Sequence, residues 1–524
     1  MVYVHNLSWI LFLGLFPVSF SKGNEKFPDS FSKASQVLSA NCFSCHSPSE
    51  KIRGGLDLSG VDKILKGGSS GQVVVPGKST ESLLIQMVQP GGLQHMPPKG
   101  QLSKGEIEVL KNWVDGLSAA SIKVNLSGRD HWAFQKPANP PLPKVNQMDW
   151  ASQPLDVFVL ARLEARGLKP SPKADKTTLI RRAYFDLTGL PPATQSIQKF
   201  LDDNSADAFE KVIDELLASP AYGERWGRHW LDLTRYADSG GFHNDVPRPN
   251  AWRYRDYVIK SLNEDKPFAQ FIREQLAGDE MENSQEEQLI ATGFGRNGPS
   301  NDDNMGKTAQ DIEKYRLDEL DGVISNTFTT FLGVTLGCAR CHDHKYDPIS
   351  QKDYYQVLAI FNGTSKKDLP LQGNTVEKGK LKDPERGIMA LVDSTPQPKP
   401  THILWRGDLN NPGPMVQAAV PSALAWKNWE IPQATKNAKA SGRRLALADW
   451  IASPENPLTY RVLANRFWQH HFGHGLVETS GNFGKSGAMP SNPELLDHLA
   501  GWLVNSGGNW KSFHRYLMLS STYQ

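Results

Sequence analysis

The sequence predicts a mainly α-helical protein, in which a small helical domain is followed by larger helical domains with irregular Pro/Gly-rich connections and minor β structure. Apolar residues recur at three- and four-residue spacing in most segments, which is the pattern of amphipathic helices. The 44 glycines and 35 prolines indicate many loops between them. A length of 524 residues suggests several domains. Hydrophobic and charged shares of 39% and 22% are typical of a globular chain.

Residues 28–118 are predicted to form the small N-terminal domain. Its clearest element is the last helix, in LSKGEIEVLKNWVDGL, where Ser103 and Glu106 have the spacing of a capping box. Apolar residues then recur on one face from Ile107 to Leu117. The domain begins with another helical stretch, FSKASQVLSANC, so both of its ends are predicted to be helical.

The rest of the chain divides by composition. The predicted segments are a Pro-rich linker at 119–150, a helical domain at 151–365, an irregular connector at 366–440 and a C-terminal helical domain at 441–524. Within the connector, THILWRG predicts an isolated strand. The stretch EKYRLDELDGVISNTFTTFLGVTLGCARC predicts one helix that runs into a cysteine motif.

An apolar run from Trp9 to Phe20 is too short to span a bilayer comfortably. Ser19 and Ser21 stand where a signal peptidase reads small residues, so residues 1–21 are predicted to be a secretory signal peptide. A retained anchor is the alternative, because no Lys or Arg precedes the run. No other transmembrane span is predicted, since no later segment has about 18 consecutive uncharged apolar residues.

The four cysteines of the chain form two C-x-x-C-H motifs. They are Cys42 and Cys45, followed by His46, and Cys338 and Cys341, followed by His342. C-x-x-C-H is the attachment signature of c-type haem. Two thiols one helical turn apart can reach two vinyl groups on one edge of a porphyrin, and the adjacent imidazole can ligate the iron. We therefore expect haem c at the first motif and a second haem c at the second. Export agrees with this, because haem is attached outside the bacterial cytoplasm.

The iron of a c-type cytochrome takes a second axial ligand. For the first motif the sequence favours Met96, whose thioether precedes two prolines that stiffen the loop. His95 is the competing ligand, and it would give a lower reduction potential. Ligation by His46 and Met96 would suit electron transfer and leave no open position on the iron.

The second motif has no following Met-Pro pair, so its distal ligand stays open. The candidates are His229, His243, His344 and Met305. Two other interpretations compete with haem here. One is a tetrahedral zinc site, and its possible ligands are Cys338, Cys341, His342 or His344, and Asp343 or Asp347. The other is a disulfide or a pair of free thiols.

Histidines also cluster in QHHFGHG, near the C-terminus. For His470, His471 and His474 the sequence predicts core or surface roles rather than metal ligation.

Several stretches resemble known families. NCFSCH, GGLDLS, VVPGKSTESLLIQMV and MPPKGQLSKGEIEVLKNWV occur in the order of the planctomycete cytochrome c domain, and HWAFQKP resembles the segment that follows it. RRAYFDLTGLPP, GERWGRHWLDLTRYADS, NAWRYRDYVIKSLNEDKPF and LGCARCHDHKYDPISQKDYY resemble a second planctomycete cytochrome-like domain. NPLTYRVLANRFWQHHFGHGLVETSGNFGKSG resembles the domain of unknown function that accompanies both. Relatives continue beyond SSTYQ, so the C-terminal domain is expected to be truncated.

Together these observations predict an exported c-type cytochrome, periplasmic or on the cell surface, that transfers single electrons through covalently bound haem iron. The alternatives are an extracytoplasmic haem oxidoreductase that acts on a substrate, and a polymer- or partner-binding protein in which haem is accessory. An electron carrier is favoured over a substrate-converting enzyme, and the redox partners are not specified by the sequence. A net charge of +2 indicates no nucleic-acid partner.

Overall fold

A computed structural model of the protein describes residues 29–47, 52–68, 71–91, 95–98, 100–117, 131–242, 245–300, 308–433 and 438–524. The predicted signal peptide, residues 1–21, lies outside these ranges. The chain divides into two compact units, Met1–Val124 and Asn125–Gln524. The mainly α-helical fold is confirmed. Among the described residues, no helix has the length and apolar character needed to cross a membrane.

The first unit is built from short helices around one small core. Its helices are α1 Asp29–Asn41, α2 Phe43–His46, α3 Val61–Lys66, α4 Leu83–Val88 and α5 Lys104–Asp115. The predicted capping box at the start of α5 is confirmed. The Ser103 amide donates to the Glu106 carboxylate at 2.8 Å, and the Glu106 amide donates to the Ser103 hydroxyl at 3.3 Å. Helices α1 and α5 pack together, with Leu38 and Leu110 fully buried in the shared core.

The second unit contains fourteen described α-helices. They are α6 Pro154–Ala165, α7 Lys176–Leu187, α8 Thr194–Asp202, α9 Ala208–Ala218, α10 Pro220–Leu233, α11 Ala251–Asn263, α12 Phe268–Ala277, α13 Glu286–Ala291, α14 Ala309–Leu332, α15 Gln351–Phe361, α16 Arg443–Ala452, α17 Thr459–Phe472, α18 Pro493–Asn505 and α19 Trp510–Met518. One large hydrophobic core runs through these helices, from Leu155 to Tyr523.

The β structure of the second unit consists of three antiparallel pairs within the described residues. The strands are β1 Thr364–Pro370, β2 Val376–Glu377, β3 Lys380–Leu381, β4 Gly387–Asp393, β5 Thr401–Leu404 and β6 Pro412–Val416. They pair as β1 with β4, β2 with β3 and β5 with β6. The predicted strand in THILWRG is confirmed as β5, but it is not isolated, because it forms a hairpin with β6 in which His402 stands opposite Met415.

Helix α14 ends before the second cysteine motif, so the predicted continuous helix into that motif is wrong. Gly333 ends the helix in the left-handed conformation, with φ +58°. The Gly333 amide donates to the Thr329 carbonyl at 3.2 Å, which is the bond of an αL C-cap, and the Val334 amide donates to the Phe328 carbonyl at 3.3 Å. A Cβ at Gly333 would lie 3.0 Å from the Phe483 ring, which is a tight contact. Tertiary packing therefore reinforces the stop at this glycine.

Residues 131–150, the described part of the predicted linker, belong to the second unit. Ala133 and Phe134 are buried in its core. His131 Nε2 contacts the Phe483 carbonyl at 2.8 Å, and Arg461 of α17 donates to the Gln135 carbonyl at 2.7 Å. These contacts fix this part of the chain against the C-terminal helices of the unit.

Candidate functional site

The first C-x-x-C-H motif lies on a single helical turn. Cys42 is the N-cap residue of α2, and its carbonyl accepts the amides of Cys45 at 3.1 Å and of His46 at 2.9 Å. Both cysteines are half-buried and neither forms a disulfide. The turn therefore keeps two free thiols and an imidazole close together, as the sequence predicts.

The His46 ring is oriented by a backbone carbonyl. Its Nδ1 lies 3.3 Å from the carbonyl oxygen of Leu56. Because a carbonyl oxygen only accepts hydrogen bonds, Nδ1 carries the proton and Nε2 keeps its lone pair. Histidines that ligate metals have their other ring nitrogen bonded in this way. The arrangement fits a proximal ligand for haem iron.

The Cys42 thiol is protonated at neutral pH. Burial, together with the neighbouring Cys45, raises the pKa of Cys42 to about 11. Metal ions take cysteine as the thiolate, which this environment disfavours.

The two predicted distal ligands of the first motif differ in exposure. The Met96 side chain is 38% exposed, and its amide donates to the Met87 carbonyl at 2.8 Å. His95 Nε2 is buried and has no hydrogen-bond partner among the described residues. A buried ring nitrogen without a partner is unusual. Each residue therefore offers a ligand atom that is not already engaged in a hydrogen bond.

The second C-x-x-C-H motif forms a 3₁₀ turn, Gly337–Arg340, rather than an α-helix. Cys338 and Cys341 are both exposed and unpaired. His342 Nδ1 lies 2.7 Å from the carbonyl oxygen of Asp343, so this ring also carries its proton on Nδ1 and leaves Nε2 free. The second motif thus shares its tautomer with the first, although its backbone conformation differs.

His344 has the opposite tautomer. Its Nδ1 accepts the amides of Tyr346 at 3.3 Å and of Asp347 at 3.0 Å. The proton therefore lies on Nε2, which is 3.2 Å from the Thr335 hydroxyl. Burial lowers the pKa of His344, and the neighbouring Asp347 opposes this shift. Both ring nitrogens are engaged, so His344 has no lone pair free for a distal bond or for zinc.

The zinc arrangement does not assemble in the described part of the chain. Asp347 is buried and its Oδ1 accepts the Lys485 amide at 2.7 Å, while the Asp343 carboxylate accepts the Gln351 amide at 2.7 Å. Within the described ranges, no three His, Cys, Asp or Glu side chains lie close enough to hold a metal ion. Asp343 and Asp347 are therefore both engaged with backbone amides.

The other predicted distal ligands are not placed beside the second motif. His243 and Met305 lie outside the described residues. His229, on α10, stacks on His470 of α17 with ring centroids 3.8 Å apart. The Trp226 ring also contacts His471 and His514, and His471 Nε2 lies 2.8 Å from His514 Nδ1. His471 and His514 are buried, His229 is half-buried and His470 is exposed. We call these four residues the Trp226 histidine group. His474 is exposed.

The sequence interpretation missed two features of this unit. One is the assembly of the Trp226 histidine group from three helices, for which sequence spacing gives no signal. The other is the β5–β6 hairpin, whose turn contacts the second motif through Gly407 and Cys341. The turn-forming residues between THILW and β6, in RGDLNN, were a signal for this hairpin.

Comparison with protein-family models gives three matches. Residues 42–100 match Planctomycete cytochrome C, residues 154–366 match PSCyt2, a protein of unknown function (DUF1549), and residues 443–524 match PSD1, a protein of unknown function (DUF1553). No curated protein and no solved structure matches the chain. The first C-x-x-C-H motif lies in the first match and the second motif lies in the second match. The chain therefore belongs to the planctomycete-type cytochrome c multidomain family, with the three domains in the order that the sequence predicts.

Proposed function

We propose that this protein is an exported, periplasmic or cell-surface c-type cytochrome that carries two covalently bound haems and transfers single electrons. Cys42, Cys45 and His46 would hold the first haem, and Cys338, Cys341 and His342 the second. When bound, the haem iron supplies the one-electron redox chemistry. The observation that carries the proposal is the orientation of His46, whose Nδ1–H is bound by the Leu56 carbonyl beside two free thiols.

The protein's own groups contribute anchoring and orientation at the first site. Cys42 packs against the core of the first unit, so a ring attached to it would have apolar neighbours such as Leu56. Exclusion of water around a haem raises its reduction potential, because burial disfavours the more highly charged oxidised iron. The Leu56 carbonyl holds the His46 imidazole in the tautomer that can ligate.

The second site is supported by a rigid frame around its motif. Arg340, between the two cysteines, forms an ion pair with Asp318 of α14 at 2.6 Å. Its carbonyl accepts the Gln351 side chain at 3.0 Å. The thiols on either side are exposed, so a ring attached there would be open to solvent on at least one edge. This exposure favours a second candidate function, an oxidoreductase in which the second haem meets a substrate or a redox partner.

The number of haems per chain tests the proposal. When the chain is produced with a c-type haem maturation system, intact mass and a pyridine haemochrome spectrum are expected to give two haems per polypeptide. The double variants C42A/C45A and C338A/C341A are each expected to retain one haem, because each motif attaches its own ring.

One haem in the parent chain and none in C42A/C45A would restrict the proposal to a monohaem carrier. Two haems that persist in C338A/C341A would contradict the assignment of the second motif. The single substitution Ser44→Ala, inside the first motif but without a thiol, serves as a matched control and is expected to leave the count unchanged.

The distal ligand of the first haem can be identified by replacing Met96 with leucine. We expect a lower reduction potential for that haem and loss of its thioether-to-iron absorption band, because a Met ligand raises the potential. Axial ligands set haem potentials over a span of about 0.8 V, so the change is expected to be large enough to measure by redox titration. His95→Leu is the matched control. If His95→Leu changes the spectrum and Met96→Leu does not, the buried Nε2 of His95 is the ligand instead.

A further inference from the structure

The second C-x-x-C-H motif and the β5–β6 hairpin are held by the same two side chains. Gln351 Nε2, on α15, donates at 3.0 Å to the carbonyl of Arg340 and at 3.0 Å to that of Leu404. The Tyr355 hydroxyl contacts the same two carbonyls, at 3.1 and 3.2 Å. Since one helix bonds to both backbones, the end of β5 has a fixed position beside the middle of the motif.

The turn of the hairpin contacts a thiol of the motif. Gly407 has a φ of +73°, and a Cβ at this position would lie 3.1 Å from Cys341 Sγ. Two reasons favour glycine at this position. The left-handed backbone would strain other residues, and the sulfur of Cys341 occupies the space that a side chain would need. The hairpin therefore borders the edge at which a ring attached to Cys341 would begin.

An imidazole, an indole and a thioether are exposed together on this hairpin. His402 is exposed and stands opposite Met415, which is 54% exposed. Trp405 is 41% exposed, and its indole packs on the backbone of Gly413. Because the turn of the same hairpin borders the Cys341 thiol, a ring attached to that thiol is a ligand that these three side chains could contact.

The His402 ring is fixed in the tautomer that a ligand needs. Its Nδ1 lies 3.0 Å from the carbonyl oxygen of Gly413, so Nδ1 carries the proton and Nε2 keeps its lone pair. His46 and His342 have the same tautomer, held by the same kind of bond. His344, which is nearer to the motif in sequence, has the reverse tautomer and no free nitrogen.

We infer that His402 is the distal axial ligand of the second haem, and that Trp405 and Met415 cover the exposed part of the ring. The inference rests on the proposed attachment of haem to Cys338 and Cys341. His402 is favoured over Met415 because a hydrogen bond orients its ring. Ligation by His342 and His402 leaves no open position on the iron, so the second site transfers electrons and does not bind a substrate at the metal.

The test uses the full chain with the substitutions C42A/C45A, so that only the second haem is attached. Intact mass first establishes one haem per chain. Electron paramagnetic resonance of the oxidised protein is expected to show low-spin iron. His402→Ala is expected to retain the haem but to convert its iron from low-spin to high-spin in full, and added imidazole is expected to restore the low-spin signal. Met415→Leu, the matched control on the facing strand, is expected to stay low-spin.

Two further outcomes separate this inference from the proposed function. A haem that remains low-spin in His402→Ala, or that becomes high-spin in Met415→Leu instead, overturns the inference and leaves the second haem in place. A chain without haem on C42A/C45A overturns both. His402→Met keeps a ligand at the position and is expected to remain low-spin with a raised reduction potential, which distinguishes lost ligation from a misfolded hairpin. If C42A/C45A is not produced, difference spectra of the two-haem protein give the same comparison.

Discussion

Replacing Arg444 by leucine is expected to lower the free energy of unfolding of the second unit by about 3–5 kcal/mol. Arg444 lies at the start of α16 and its side chain is fully buried. Its guanidinium forms a bidentate pair with Asp279, at 2.8 and 2.6 Å. It also contacts Asp393 at 3.1 Å and Glu280 at 3.3 Å. Leucine would leave three acidic side chains in the interior without their cation.

The loss of stability comes mainly from the acidic partners of Arg444, which stay buried after the substitution. Burial already raises the pKa of Glu280 to about 7, although the positive charge of Arg444 opposes this rise. Without that charge, the carboxylates of Asp279 and Asp393 also repel each other in a poorly solvated place. The three acids belong to the turn after α12 and to the end of β4, so the loss would loosen the contact between α16 and both of these elements.

A matched control pair joins α12 and α16 nearby. Arg273 of α12 pairs with Asp449 of α16 at 2.6 Å, but both side chains are about 40% exposed. Arg273→Leu is expected to cost less than about 1 kcal/mol, because water screens an exposed pair. Urea unfolding followed by circular dichroism measures both variants. If both substitutions lower the free energy of unfolding equally, burial of the Arg444 ion pairs does not determine how much they stabilise the protein.

The sequence was sufficient where structure is set by neighbours in the chain. The capping box of Ser103 and Glu106 and the turn that joins Cys42 to His46 both depend on contacts within four residues. Such contacts can be read from spacing alone. For the same reason the residues of both motifs could be named before the structure, although the hydrogen bond from His46 to Leu56 could not.

The sequence was insufficient where distant residues decide. Apolar periodicity continues past Gly333, but the helix ends there in a left-handed turn. Phe483 and Val462 pack so close to Gly333 that a side chain at this position would be crowded. Distant residues also determine the surroundings of Cys341. This residue contacts Gly407 in the turn of the β5–β6 hairpin, whereas the sequence predicted only a single strand there. Tertiary packing overrides local pattern at these positions.

The Trp226 histidine group is expected to make the second unit sensitive to acid. Burial, with nearby positive charges, lowers the pKa of His229 to about 3 and of His470 to about 4, and burial also lowers that of His514. In the unfolded chain these histidines titrate near pH 6.5. Between about pH 6.5 and 4 the unfolded chain therefore binds more protons than the folded protein, and stability falls as the pH is lowered.

The charges around the group help to explain why the pKa values of its histidines are lowered. Arg225, on α10, and Arg466, on α17, are near His470 and disfavour a further positive charge. Asp232 acts in the opposite direction on His470, and Asp186 lies 3.4 Å from His471. Tyr523 donates to the same Asp186 carboxylate at 2.7 Å. Burial and the nearby positive charges therefore outweigh the effect of Asp232 on the pKa of His470.

His229→Gln tests this because glutamine stays neutral at every pH and keeps a polar group on the half-buried face of α10. Each histidine that remains neutral in the fold contributes a slope of up to about 1.4 kcal/mol per pH unit in this window, so the variant is expected to lose less stability than the parent chain between pH 7 and 4.5. Glu280, with its raised pKa, changes stability in the opposite direction, but it is present in both proteins and cancels in the comparison. His474→Gln, at an exposed position, is the control and should follow the parent curve. If the urea midpoints of all three proteins fall equally with pH, the acid sensitivity lies outside this group. The reason is that His229→Gln removes only a proton-binding site that is neutral in the fold and charged in the acid-unfolded chain.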